Sequence, residues 1–200
     1  MINSAFIILD LQNDICSIDG VFHKNGLDAN LSSKIIPHII DMICFCKKQN
    51  IPVIAVQMSV LENVSKQAIG LGVYKKMIPF LEKEGLRDNS WGHDLLEEIK
   101  NVDYKIKRWT MSAFYHTELA RHLSALRVNK LILSGFTTNG IVETTAREAA
   151  SRNYQLVTLS DCISSYSEKM HLASLINLNN FSNVLSSKKF QENFEKENFK

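Results

Sequence analysis

The chain has 200 residues, 45% of them hydrophobic and 22% charged, with only 8 glycines and 3 prolines. That composition excludes a disordered chain, a collagen-like repeat and a disulfide scaffold, and it fits one compact domain large enough to bury its own core. With 23 basic side chains against 21 acidic ones, the net charge is +2, too even a balance to mark a nucleic-acid or membrane-surface partner.

The first apolar run, residues 5–9, is continuous and ends at Asp10. It lacks a basic lead-in and is too short for a signal peptide, so it reads as a strand. Ile36, Ile39, Ile40 and Ile43 recur at helical spacing, with Pro37 in the first turn, predicting a helix over residues 36–47. A second strand is predicted over 51–56, with Pro52 at its start, where a missing N–H is tolerated. Residues 59–89 have no clear strand signal and contain Gly70, Gly72 and Gly85. They read as a lid or as an interface in an oligomer, and the sequence leaves that choice open.

A weak strand over 104–107 and a helix over 116–126 follow, then a strong strand over 130–135. Beyond Gly135, Thr138 or Asn139 is placed to cap a helix whose apolar face is Ile141, Val142, Thr145, Ala146 and Ala149. A strand over 154–159, an amphipathic helix over 167–181 carrying His171 and a weak strand over 183–185 complete the pattern. Unbroken apolar strands alternating with helices predict an α/β fold, a three-layer αβα sandwich around a central, mostly parallel sheet of about six strands. Residues 1–190 form the expected single domain, and 191–200 a charged tail expected to fray.

No window approaches the roughly 18 apolar residues of a membrane span. Cys16, Cys44, Cys46 and Cys162 show no CxxC pair and read as free thiols in a reducing, cytoplasmic setting. The six histidines show neither HxH nor HxxxH spacing. No metal and no cofactor is expected.

Ligands of open parallel sheets bind outside the carboxyl ends of the strands. Three features fall there: Asp10 after the first strand, the cations Lys107 and Arg108 after the weak strand, and the turn Gly135-Phe136-Thr137-Thr138-Asn139-Gly140. An acid, a cation and a strand-to-helix turn make a hydrolytic site for a small molecule. The bland reading of Asp10 is a turn former or helix cap.

Ile8-Leu9-Asp10-Leu11-Gln12-Asn13-Asp14, Ser112-Ala113-Phe114-Tyr115-His116-Thr117-Glu118-Leu119, the stretch 135–149 and Leu159-Ser160-Asp161 follow in order along nearly the whole chain. In these motifs the chain resembles the isochorismatase-like hydrolases, the cysteine hydrolase family of nicotinamidases, carbamoylsarcosine amidases and isochorismatases. The resemblance implies an acid at Asp10 and a cation at Arg108 in an ungapped register, or at Lys107 after a slip of one. It also implies a nucleophilic cysteine at the position held here by Ile141, whose alkyl chain can be neither nucleophile nor acid. Carried over with it are a cis peptide at Phe136–Thr137, the turn residues Phe136, Thr137 and Gly140 facing an oxyanion, and a homodimer or larger homo-oligomer. The Asp-x-His pair that the family's nicotinamidases carry after the second strand is absent from Val56-Gln57-Met58-Ser59-Val60.

Gln12, Trp109 and Phe114 are expected to line the pocket, although large aromatics are more often core. Cys16 and Cys162 fall near the same edge, but neither sits at the helix start beside Gly135. Isochorismatases also lack the cysteine and are thought to cleave a vinyl ether by protonation from the first-strand acid. Two readings follow. One is a hydrolase of an amide-type C–N or vinyl-ether bond that works through Asp10 without a thiol. The other is an inactive relative kept for binding or assembly, in which Ile141 plugs the cavity and Arg108 ties up Asp10.

Overall fold

The computed structural model describes residues 3–28 and 30–198. Six strands form one sheet: β1 (Ser4–Leu9), β2 (Val53–Met58), β3 (Tyr104–Arg108), β4 (Lys130–Phe136), β5 (Gln155–Ser164) and β6 (Asn183–Leu185). Their order is β3-β2-β1-β4-β5-β6, and every pairing is parallel. The chain steps outward from β1 through β2 to β3, then crosses back to β4 on the other side. The strand order therefore reverses between β1 and β4, the place where such sheets bind ligands.

Both faces of the sheet are covered, which is why its strands read as continuous apolar runs. Along β1, Phe6 and Ile8 point into one core and Ala5, Ile7 and Leu9 into the other, the period of two that strand geometry imposes. Helix α1 (Ile36–Lys48) packs Ile39, Met42, Ile43 and Cys46 on the first face. Helices α2 (Leu119–Ala125), α3 (Glu143–Ser151) and α4 (Glu168–Leu178) cover the second with Leu119, Leu123, Ala146, Ala149 and Leu178.

Several boundaries differ from the sequence reading. Residues 116–118 precede α2 rather than belonging to it, and His116 adopts a left-handed φ of 53°. Neither Thr138 nor Asn139 caps α3. A π-helical turn, Thr138–Val142, precedes that helix, and the Thr138 hydroxyl instead donates to Ser164 O at 2.9 Å. Residues 59–89 hold a two-residue-per-strand hairpin, Leu61–Glu62 with Ala68–Ile69, and the short helix Tyr74–Met77. Residues 191–198, expected as tail, continue helix α5 (Ser187–Asn198). Phe190 and Phe194 set their rings edge-on to Phe45 of α1, at 6.2 and 5.6 Å between centroids, and that burial outweighs the charged composition.

Gly135 marks a close approach between two strands. Its φ is +123°, and a Cβ there would lie 2.1 Å from Leu9 O on β1. Only glycine lets β4 run that close to the strand that leads into Asp10.

Candidate active site

Asp10 follows β1 with a left-handed φ of 57°, a conformation that Asp tolerates better than most residues. The turn is held by Asp10 N–H donating to Val56 O at 2.9 Å. Arg108 ends β3 two strands away, and both side chains are almost wholly buried. The guanidinium meets the carboxylate as a fork: Nε donates to Oδ1 at 2.9 Å and Nη2 donates to Oδ2. Nη1 donates to Tyr74 Oη at 2.7 Å and to Thr110 O. Burial pushes the Asp10 carboxyl up, against the pull of the Arg108 charge and its hydrogen bonds. Against its own burial, Arg108 is held above its ordinary value by Asp10 and Tyr74.

The pair forms the floor of a cavity of about 300 Å³, at the low end of small-molecule sites. Phe136, Thr137, Gly140 and Ile141 form one wall. Phe22, Tyr74, Met77 and Tyr166 also line the cavity, with the Tyr166 ring set edge-on to Phe136 at 4.6 Å between centroids. The Phe136–Thr137 peptide is cis. Gly140 leaves helical geometry at φ −109° and ψ −105°, and a Cβ on it would come within 2.5 Å of Thr137 Oγ1. Ile141 is buried in the wall, and the cavity stays open beside it.

The two cations part company, as adjacent residues on a strand must. Arg108 turns to Asp10, whereas Lys107 turns to the surface and pairs with Asp88 at 2.7 Å. Gln12, Trp109 and Phe114, expected at the pocket, are not among the residues that line it. Gln12 is a fully buried brace: its amide donates to Met58 O at 2.9 Å and His93 O at 2.8 Å and accepts from Met58 N–H at 2.7 Å. Phe114 belongs to the second core, stacked on Tyr154 with Arg152 over its ring. Trp109 lies against a small neighbouring pocket with Leu61, Ile69 and Leu71.

The spare thiols are held away from chemistry. Cys16 donates to Asp10 O at 3.8 Å, and burial pushes its pKa up to about 12, so it stays a thiol at neutral pH. Burial likewise raises the Cys162 thiol, which rests on Asp161 at 3.7 Å. Among the described residues no three His, Cys, Asp or Glu side chains come together as a metal site would require.

Tyr74, Met111 and Tyr166 line the site, and no motif or spacing in the sequence singles them out. Tyr74 and Met77 sit on the short helix within 59–89, so that segment supplies cavity wall. Its anchoring comes from the first-strand motif. Asp14 accepts from Leu86 N–H at 2.7 Å and Val21 N–H at 3.2 Å. Asn13 donates to Trp91 O at 2.7 Å.

An all-parallel sheet with an acid, a cation and a strand-to-helix turn meeting at its reversal point defines an α/β protein with a small-molecule cavity at that point. The chain belongs to the Isochorismatase domain family, whose model matches residues 4–189. It is 28% identical over 191 residues to a ureidoacrylate amidohydrolase of Acinetobacter baylyi, covering 89% of this chain and 78% of the relative. It is 25% identical over 183 residues to a probable inactive nicotinamidase of Arabidopsis thaliana, covering 89% of each. The fold matches the crystal structure of an isochorismatase-like hydrolase from Alkaliphilus metalliredigens with a TM-score of 0.81, at 22% identity over 96% of this chain and 99% of that one.

Proposed function

We propose that the chain is a hydrolase that cleaves a C–N amide-type bond in a small organic substrate, with Asp10 as general base and no cysteine nucleophile. The observation that carries this reading is the open cavity with the Asp10 carboxylate at its floor and no cysteine among its lining residues. Of the roughly four acceptor positions on the Asp10 carboxylate, two go to Arg108 and one to the Met58 backbone N–H, which leaves one for water. In the proposed step, Asp10 takes a proton from that water while its oxygen adds to the substrate carbonyl. The tetrahedral intermediate then expels the amine, which leaves with the proton held on Asp10. Arg108 orients the carboxylate, and the turn at Phe136, Thr137 and Gly140 faces the developing oxyanion. Ile141, at the position where the family resemblance puts a cysteine, serves as apolar wall. The amidohydrolase relative supports an amide-type bond. A vinyl ether protonated by Asp10 is the other bond this acid suits, because burial favours its protonated form.

The second reading is an inactive family member. It is favoured by the two-point hold of Arg108 on Asp10, the tie expected of a structural pair, and by the probable inactive relative. A cytoplasmic setting goes with the four free cysteines, and a homodimer or larger assembly with the family. No helix among the described residues is long and apolar enough to cross a membrane.

The deciding experiment is hydrolysis by purified protein across a panel of amides, ureides and vinyl ethers, with Asp10→Asn in parallel. Turnover of one bond class that falls by about a hundredfold or more in the variant establishes the hydrolase and names the bond. Equal background rates for both proteins across the panel favour the inactive reading.

A further inference from the structure

Resting on the hydrolase reading, we propose that the cavity takes an uncharged, mainly apolar small molecule with one polar acceptor group, and that it rejects carboxylates. The balance of charge at the site carries this. Asp10 and Arg108 supply the ionised groups of the lining, and the described lining contains no lysine, histidine or glutamate. Each of the two ions is the other's counter-ion through two parallel hydrogen bonds. A third guanidinium nitrogen is spent on Tyr74 Oη and Thr110 O. Four of the five Arg108 N–H donors are thus engaged inside the protein. A bound carboxylate would find no free cation in that lining and would have to shed its water among Phe22, Met58, Ile78, Met111 and Ile141. Burying an unpaired anion in such a lining costs far more than burying an amide that finds a donor.

The donors on offer are neutral and suit a neutral acceptor. Tyr74 Oη accepts from Arg108, which leaves its own O–H to donate, and burial keeps the phenol protonated. The ligand class that fits is therefore a carboxamide or related neutral carbonyl compound on a compact aliphatic or aromatic body. The pair also sets up a specific reversal. Replacing Asp10 by Asn removes the counter-ion and leaves the Arg108 charge uncompensated at the cavity floor, so carboxylate affinity should rise there.

Methionine provides a direct readout of binding that does not depend on turnover. Met58, Met77, Met111 and Met170 line the cavity, whereas Met42 sits on the core face of α1. With methyl-labelled methionine, NMR titrations use matched pairs, benzamide with benzoate and cyclohexanecarboxamide with cyclohexanecarboxylate, each assigned through single Met→Leu variants. We expect the amides to shift the cavity methyls and leave Met42 in place, with Kd at least about tenfold lower than for the matched carboxylates. In Asp10→Asn the preference should shrink or reverse. Carboxylates that bind the wild type as tightly as amides, amides that move none of the cavity methyls, or an unchanged preference in Asp10→Asn would each overturn the proposal. Selective amide binding without turnover anywhere in the hydrolysis panel would leave this inference standing while removing the hydrolase reading.

Discussion

At the scale of single residues, the site turns on how a buried carboxylate is kept tolerable. Asp10 and Arg108 are each nearly inaccessible, and each offsets the cost of burying the other's charge. Arg108→Leu strands Asp10 in an apolar floor and should cost about 3–5 kcal/mol at neutral pH. Without the cation only burial acts strongly on Asp10, so its folded pKa climbs further above the unfolded value of 3.8. Between those two values the native state binds more protons than the unfolded one, and stability falls as pH rises. The deficit of the variant, measured by urea unfolding, should therefore be largest at neutral pH and shrink toward pH 4 as the carboxyl takes up its proton. A deficit that is constant across that range would mean that Asp10 does not depend on Arg108 as a counter-ion. The Asp10–Arg108 encounter is legible in the sequence through motif register alone. The alternation of side chains along β3 then separates Arg108 from Lys107, a geometric consequence that composition does not carry. Tyr74 is not legible, because its four-residue helix is too short to show periodicity. The segment that carries it is held by residues far away in the chain, as in the bond from Leu86 N–H to Asp14.

At the scale of elements, the strands are readable because both faces of a parallel sheet are buried and the runs are almost purely apolar. The ends are less so. Turns such as Thr138–Val142 are set by tertiary partners, here Ser164 O and His171 for the Thr138 hydroxyl, and a capping preference cannot anticipate them. The C-terminal element reads as tail for a related reason: its mean polarity is high, and only the spacing of Phe190 and Phe194 betrays a face. Helix α5 also ties back to β5, since Ser187 donates from both its N–H and its hydroxyl to Asp161 at 2.8 Å. If α5 is part of the core, Phe190→Ala should destabilise the protein by about 3 kcal/mol, read from the denaturation midpoint with an unchanged slope. A change below about 0.5 kcal/mol would place the helix outside the cooperative unit.

At the scale of the whole molecule, the site sits where elements from distant parts of the sequence converge, so its integrity follows that of the entire fold. The acid side of the stability profile should expose this. His93, buried with Nε2 2.6 Å from Ser59 Oγ, and His171, with Nδ1 2.8 Å from Thr138 Oγ1, are both pushed below their ordinary value of 6.5 by burial. Below pH 6.5 the unfolded chain takes up protons that these rings refuse in the native state, so stability falls as pH drops toward their folded values. Asp10 works in the opposite sense, because burial raises it and its protonation favours the native state. Asp88, held low by the hydrogen bond from Lys107, keeps its contribution until pH falls below the ordinary carboxylate value of 3.8. Between about pH 6.5 and 5 the histidines should therefore set the slope. Thermal unfolding across that interval should show a falling Tm in the wild type and a visibly flatter profile in His93→Gln, whatever the offset between the two proteins at neutral pH. His93 also carries the backbone carbonyl that receives both Gln12 and Gln57 at 2.8 Å. The residue whose ring resists protonation therefore also anchors, through its backbone, the brace that holds β2 against the loop after β1. Parallel slopes in the two proteins would assign the acid sensitivity to other groups.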